Sequence, residues 1–340
     1  MTTDYKKIII DSLEIMKNYE MSNKQPFKAR AYNKVINQLK CIDKSIVSYE
    51  DVQSIDGIGE KISIKIKEII ETGILNSAEK IKELYNTDTL KILQDIYGVG
   101  PTKATELVKA GITSITHLRE EIKNNPALLN KNQKIGLKYY EDLIERIPYD
   151  EMLEHKDVLE NLKPYEMNKY TTEIVGSFRR NSPNSGDIDV LIRIPYNTLP
   201  TTIAIILNKY VDVAKDFGYI KEVLALGEKK CMAICHIYKG KARRLDLLMT
   251  PYDEYAYTLL YFTGSDKFNI AFRQYALNMG YTLNEHALTP IRDDVNKVPI
   301  MNTEKDIFNF LELRYIEPSY RIDGSNIIPI KSKPKTAIST

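Results

Sequence analysis

The chain has 340 residues, 43% of them hydrophobic and 28% charged, which excludes wholesale disorder and leaves room for two or more domains. Its 48 basic and 46 acidic residues give a net charge of +2, so affinity for a polyanion has to come from locally segregated charge. Three cysteines, Cys41, Cys231 and Cys235, make no disulfide framework, and Cys231 and Cys235 with His236 are too few ligands for a closed zinc site; they read as core filling.

The first residues lack the long apolar region of a secretory signal, and no apolar run approaches a membrane span, so an aqueous, intracellular protein with no membrane partner is expected. From residue 1 to about 150 apolar residues recur at helical spacing, as in Ile8, Ile9, Leu13 and Met16, and again in Ile62, Ile66, Ile69 and Ile70. This half reads as all-helical. Within it the pattern around Gly57-Ile58-Gly59 returns around Gly98-Val99-Gly100, 41 positions later (57 to 98). Each copy reads as a helix, a Gly-x-Gly hairpin and a second helix whose first backbone N–H groups are free to meet a phosphodiester. That is the helix-hairpin-helix pattern; the bland alternative is a tight αα-turn without a ligand. Lys61 and Lys65, four apart, share one helix face, where like charges favour a neutral, nucleophilic amine; an ordinary solvated lysine face is the alternative.

Past Pro148 and Pro164 the texture changes to short β-branched runs at residues 172–175, 188–194, 233–238 and 244–249, with a helix near 202–214, predicting an α+β sheet domain. Gly176-Ser177-Phe178-Arg179-Arg180 is followed by Gly186-Asp187-Ile188-Asp189. Strand alternation puts Asp187 and Asp189 on one face and Ile188, Val190 and Ile192 on the other. Asp246, inside the apolar run Leu245 to Leu248, is a third candidate acid. Three carboxylates on neighbouring strands suit two Mg2+ ions roughly 3.5–4 Å apart, one activating a hydroxyl and one clamping a triphosphate. Ser177 and Arg180, read as lying at a helix start, are placed to bind phosphates. The competing reading makes Asp187 and Asp189 solvent-facing strand residues and pairs Asp246 with Arg244.

Gly-Ser followed by Asp-x-Asp resembles the signature of the nucleotidyltransferase superfamily, and the whole chain is similar to DNA polymerase β of polymerase family X. The similarity runs from about Phe27 to Arg321 and includes Ile135-Gly136-Leu137-Lys138-Tyr139-Tyr140, Arg146-Ile147-Pro148, Tyr261-Phe262-Thr263-Gly264-Ser265-Asp266 and Glu304-Lys305-Asp306-Ile307-Phe308. The resemblance implies a multidomain α and α+β architecture: a helical lyase-like domain at 1–86, a helical DNA-binding subdomain at 87–150, a catalytic nucleotidyltransferase palm at 151–255, and a nucleotide-selection subdomain with a tail at 256–340. It implies template-directed gap filling in base excision repair, without proofreading. Asp187 and Asp189 would bind two Mg2+ ions, with Mn2+ as a substitute, and Asp246 the catalytic one. Ser177, Arg180 and Gly186 would hold the triphosphate, Tyr261, Phe262 and Gly264 the sugar, and Asp266 and Asn269 the base. Arg244 and Arg273 would contact DNA, as would Gly57, Gly59, Gly98 and Gly100, with a monovalent cation (Na+ or K+) at the hairpins.

The residue matching the family's lyase nucleophile is Lys65, with Lys28, Tyr32 and Lys61 around it, implying a Schiff base with a 5′-deoxyribose-phosphate. Ser77 and Asn33 stand where the family offers a lysine and an arginine, which points to a weakened lyase; Asn181, Ile270 and His286 replace a glycine, a lysine and a tyrosine, which points to altered fidelity or nucleotide affinity with the metal triad intact. Expected partners are gapped or nicked double-stranded DNA, deoxynucleoside triphosphates and a DNA ligase, with the chain a monomer. Competing functions are a template-independent nucleotidyltransferase and a non-catalytic DNA-binding scaffold. The basic run Lys331 to Lys335 reads as a solvated tail or an import signal, leaving nucleus, virion or cytoplasmic replication site open.

Overall fold

The computed structural model describes residues 3–23, 25–42, 44–84, 87–292 and 295–330, so the basic tail lies outside the described residues. The chain divides into two compact units, Met1–Ile144 and Glu145–Thr340. Among the described residues no helix is long and apolar enough to cross a membrane.

The first unit is helical throughout its described residues, as expected. In α1 (Lys6–Ser22) and α2 (Pro26–Cys41), Ile9, Leu13 and Met16 pack with Val35, Ile36 and Leu39. Pro26 opens α2, where its missing N–H costs no helical hydrogen bond. The helices α3 (Glu60–Thr72) and α4 (Asn76–Leu84) complete this core through Ile62, Ile66, Ile69 and Ala78. A separate core, built on Leu93, Ile96, Val99, Leu107, Leu118 and Leu137, gathers α5 (Thr87–Gln94), α6 (Pro101–Lys109), α7 (Ile115–Asn124), α8 (Lys131–Lys138) and α9 (Tyr140–Ile144). Side-chain caps fix the starts of α7 and α8, where Ser114 accepts from the His117 amide at 3.1 Å and Asn130 from that of Gln133 at 2.9 Å.

Both Gly-x-Gly repeats fold alike. Gly57 and Gly98 have φ of +97° and +83°, and Gly59 and Gly100 are extended N-caps of α3 and α6 with ψ of 175° and 177°. They differ upstream. The second copy has α5 ahead of its hairpin, whereas the first has only a 3-10 turn, Tyr49–Asp51, instead of the expected helix. Asp51 turns back to accept the Val47 and Ser48 amides at 3.0 and 2.9 Å, a local bond that competes with helix continuation.

The second unit centres on a five-stranded sheet. Its strands are β2 (Thr171–Ile174), β4 (Ile188–Arg193), β5 (Ile220–Leu226), β6 (Lys230–Cys235) and β7 (Arg243–Thr250), in the order β2-β4-β7-β6-β5. β4 and β7 are parallel and the other neighbours antiparallel. The minor strands β1 (Ile147–Pro148) and β3 (Asn184–Ser185) pair with each other, so residues 147–148 belong to this unit although the helical half was expected to run to about 150. Helices α10 (Tyr149–Asn161) and α12 (Pro200–Asp216) cover one sheet face over Ile188, Val190, Ile192, Leu245, Leu247 and Met249. The one-turn α11 (Gly176–Arg179) follows β2.

Beyond the sheet come α13 (Tyr255–Thr263), α14 (Asp266–Asn278), the hairpin β8 (Tyr281–Leu283) with β9 (Leu288–Pro290), and α15 (Glu304–Phe310), around Phe268, Phe272 and Phe308. Two expectations are corrected here. The run expected at 233–238 is β6 at Lys230–Cys235, because pairing with β5 and β7 stops at Cys235, whose partners are Ile220 and Arg243. β5 was not anticipated, its polar Lys221 and Glu222 masking the alternation. Cys231 and Cys235 are fully buried core residues, as read from sequence.

His155 is also fully buried, with Nδ1 2.8 Å from the Tyr219 hydroxyl and Nε2 3.6 Å from Glu151. Burial pushes its pKa down to about 4 against the opposing pull of Glu151. The unfolded chain takes up this proton near pH 6.5 and the native one only near 4, so His155 withdraws stability as pH falls through that window. From pH 6.5 to 5 the loss is about 2 kcal/mol. Urea midpoints should fall over this range for the parent and less for His155→Gln; parallel curves would exclude His155 as the titrating group.

Candidate active site

The site begins with strand register. Asp189 on β4 lies directly opposite Asp246 on β7. Their apolar neighbours fill the helix-covered face, so alternation sends both carboxylates to the other side. That side is sealed further along by α13, where Leu191 packs with Tyr255 and Leu259. Asp187, one residue before β4, is within hydrogen-bond reach of Asp189. Burial, then the charges of Asp187 and Asp246, raise the Asp189 carboxyl well above its ordinary range, with Arg244 opposing.

The expected alternative pairing of Asp246 with Arg244 is corrected. Arg244 forms an ion pair with Asp187, and Asp246 Oδ2 lies 3.5 Å from Lys230 Nζ. Arg244 and Asp246 are two apart on β7 and share a face, but Arg244 sits nearer the β4 start, where Asp187 stands. Asp246 Oδ1 is buried without a hydrogen-bond partner. Among the described residues no three such side chains are already closed to metal-ligand spacing, the outer two acids being drawn to Arg244 and Lys230. The donor set nevertheless fits a hard divalent cation: three oxygen ligands, one of them unpartnered, in a crowded anionic patch.

The Gly-Ser turn packs onto this patch. Gly176 has φ +64°, and a Cβ there would lie 3.2 Å from Asp189 Oδ2, so only glycine lets the turn come this close. Arg180 follows α11 and lies at its end, not at a helix start as expected, because the helix is one turn long. Its guanidinium donates to the Thr263 carbonyl at 2.5 Å, and burial lowers its pKa while Asp266 partly restores it. Arg180, Tyr261, Phe262, Gly264, Asp266 and Asn269 meet Asp189 around one cleft of about 620 Å³. Asn269 donates to the Tyr261 carbonyl at 2.7 Å, and Arg273 lies 4.8 Å from the Tyr261 ring and 3.4 Å from Glu285. Ser177 and Gly186 are not among the residues lining that cleft: Ser177 donates to Ser185 at 2.9 Å, and a Cβ on Gly186 would meet Arg146 Nη1 at 2.9 Å.

The sequence matches four family profiles in succession: a helix-hairpin-helix domain at residues 5–75, the fingers domain of DNA polymerase lambda at 91–144, the DNA polymerase beta palm at 146–252 and the DNA polymerase beta thumb at 258–322. The chain belongs to family X of the DNA polymerases. Similar relatives include DNA polymerase lambda of Rattus norvegicus, 31% identical over 94% of this chain and 56% of the relative, and that of Arabidopsis thaliana, 28% identical over 86% and 57%. DNA polymerase type-X family protein pol4 of Schizosaccharomyces pombe is 26% identical over 93% and 64%. The chain thus spans 56% to 64% of the length of these relatives.

In this family X chain the first unit carries Lys28 and Tyr32 on α2 and Lys61 and Lys65 on α3. Lys65 is half-buried and, among the described residues, has no hydrogen-bond or ion-pair partner. Lys28 lies 3.6 Å from Glu20, and burial, then Glu20, raises the Tyr32 hydroxyl. Ser77 turns inward, its hydroxyl 3.7 Å from the Met16 sulfur, and adds nothing to a phosphate site. Gly59 and Gly100 face open space, with nothing within 4 Å of an added Cβ, leaving room for a backbone to approach.

Sequence reasoning left Arg146, Lys230 and Arg179 without roles. Arg146 donates to Asn184 Oδ1 at 2.8 Å beside Gly186. Arg179 binds Glu173, Thr263 and Glu304, and Glu304 also binds the buried Arg321. No local pattern marks Lys230; only the β6–β7 pairing puts it near Asp246.

Removing one crowded charge should relieve this site. Asp189→Asn should raise the Tm of the chelator-treated protein by about 2–4 °C, and added Mg2+ should stabilise the parent more than the variant. Thermal scans with EDTA and with Mg2+ check both; an unchanged or lower Tm in EDTA would mean that the acids are not in conflict.

Proposed function

We propose that this protein is a template-directed DNA polymerase that fills short gaps during base excision repair. The observation that carries the reading is the Asp189–Asp246 register beside Asp187, opening onto the cleft lined by Arg180, Tyr261 and Asn269. Asp187 and Asp189 would hold a pair of Mg2+ ions, or Mn2+ in their place, and Asp246 would hold the catalytic one. When bound, the ions lower the pKa of a primer 3′-hydroxyl and neutralise a nucleoside triphosphate.

Arg180 binds the phosphates, together with Ser177 and Gly186. Tyr261, Phe262 and Gly264 lie against the incoming sugar, and Asp266 and Asn269 beside the base. Arg273 leaves Glu285 for the template strand, and Arg244 exchanges Asp187 for a DNA phosphate. The hairpins at Gly57–Gly59 and Gly98–Gly100 grip the sugar-phosphate backbone without reading sequence, a monovalent cation assisting. Gapped DNA and deoxynucleoside triphosphates are the substrates, a ligase the enzyme that seals the product, and the chain acts as a monomer.

A second activity is favoured by the unpartnered Lys65 amine on α3. It attacks the C1′ aldehyde of a 5′-deoxyribose-phosphate, loses water to form an imine, and β-elimination releases the 5′-phosphorylated DNA end. With Ser77 turned into the core, fewer cations hold that phosphate, and the elimination is expected to be slow.

On a one-nucleotide gap, Asp246→Ala should lower Mg2+-dependent extension by about 10³-fold or more, with gapped-DNA affinity changed only a few-fold. Persistent extension would remove Asp246 from the mechanism, and extension of a single-stranded primer would favour a template-independent transferase. Borohydride should trap incised abasic DNA on the parent and not on Lys65→Ala; equal trapping would assign the nucleophile elsewhere.

A further inference from the structure

Asp189, Asp266 and Arg180 line the cleft together with one more charged side chain, Lys267, on the first turn of α14. The Arg180 guanidinium is engaged by the Thr263 carbonyl at 2.5 Å and is partly balanced by Asp266. Lys267, by contrast, is exposed and, among the described residues, makes no hydrogen bond or close ion pair.

The rim beside Lys267 is built, not loose. Ser265, the N-cap of α14, receives its own anchor from the C-terminal segment: its amide donates to the Arg321 carbonyl at 3.0 Å and its hydroxyl to the Ile322 carbonyl at 2.5 Å. Ile322 is 68% exposed and borders the same cleft. Asp323 accepts the Ser325 amide at 2.8 Å, which fixes its carboxylate. An unengaged ammonium thus stands at the mouth of a cleft whose other cation is already hydrogen-bonded.

We propose that Lys267 captures the triphosphate of the incoming nucleotide at the cleft mouth. The inference rests on the polymerase reading and adds Lys267 to Arg180 as a second cation for the nucleotide phosphates. A lysine suits such a role, because its ammonium is a mobile point charge with three rotatable donors. Its contribution falls on ground-state capture and so on KM, since no bond is made or broken beside it.

Steady-state filling of a one-nucleotide gap tests this with the full chain, Mg2+ and a single deoxynucleoside triphosphate. Lys267→Ala should raise the nucleotide KM about five- to tenfold with kcat within about twofold, and Lys267→Arg should restore the parental KM. Added KCl should shrink the difference between Lys267→Ala and the parent. An unmoved KM in Lys267→Ala, or an equal loss from Lys267→Arg, overturns the proposal while extension by the parent leaves the polymerase reading intact. If the parent itself does not extend the primer, both fall together.

Discussion

Mutual repulsion among Asp187, Asp189 and Asp246 is the constraint around which the second unit is arranged. Burial raises the cost, since each charge loses hydration while facing its neighbours. The protein meets that cost in two ways. Arg244 and Lys230 draw the outer two carboxylates toward cations, and the reverse face of β4 and β7 is packed with Ile188, Val190, Ile192, Leu245 and Leu247. The apolar side holds the strands in register against the electrostatic strain on the polar side. Such stored conflict is what a divalent cation relieves, and it is the usual form of trade between stability and activity.

The two consecutive arginines after the Gly-Ser turn show how one short segment does two jobs. Arg179 enters a buried network with Glu173, Glu304 and Arg321, in which two cations meet two carboxylates. Burial disfavours the Arg179 charge, but Glu304 and Glu173 outweigh that and raise its pKa. Removing Glu304 would strand the buried Arg321 charge, so the network ties α11 to α15 and the segment at Arg321. Arg180 faces the cleft instead. Both reach Thr263, one through the hydroxyl at 2.7 Å and the other through the carbonyl, which ties the Gly-Ser turn to the junction of α13 and α14.

In the helical unit the same glycine dihedrals recur in surroundings that differ. Gly57 sits against the Lys34 side chain, which pairs with Asp56 at 2.6 Å, while the Gly98 carbonyl accepts from Gln133 at 3.0 Å. Hairpin geometry is therefore set locally by the glycines, and each core buttresses its copy with whatever side chains its own helices bring. That local character is why the repeat was readable as a structural unit, and why the missing helix before the first copy leaves its hairpin unchanged.

The sequence by itself determined the helical half, both hairpins, β4 and β7, and the facing of Asp189 away from Ile188 and Val190, because each depends on periodicity or turn chemistry within a few residues. Tertiary structure decided the rest: that Asp189 lies opposite Asp246, that Lys230 and not Arg244 approaches Asp246, that Ser77 turns to Met16, and that Lys267 and Ile322 border one cleft. These pairings join positions far apart in the chain, fixed by strand register and core packing. Alternation tells which face a side chain takes, while only the assembled sheet and helices decide what it meets there.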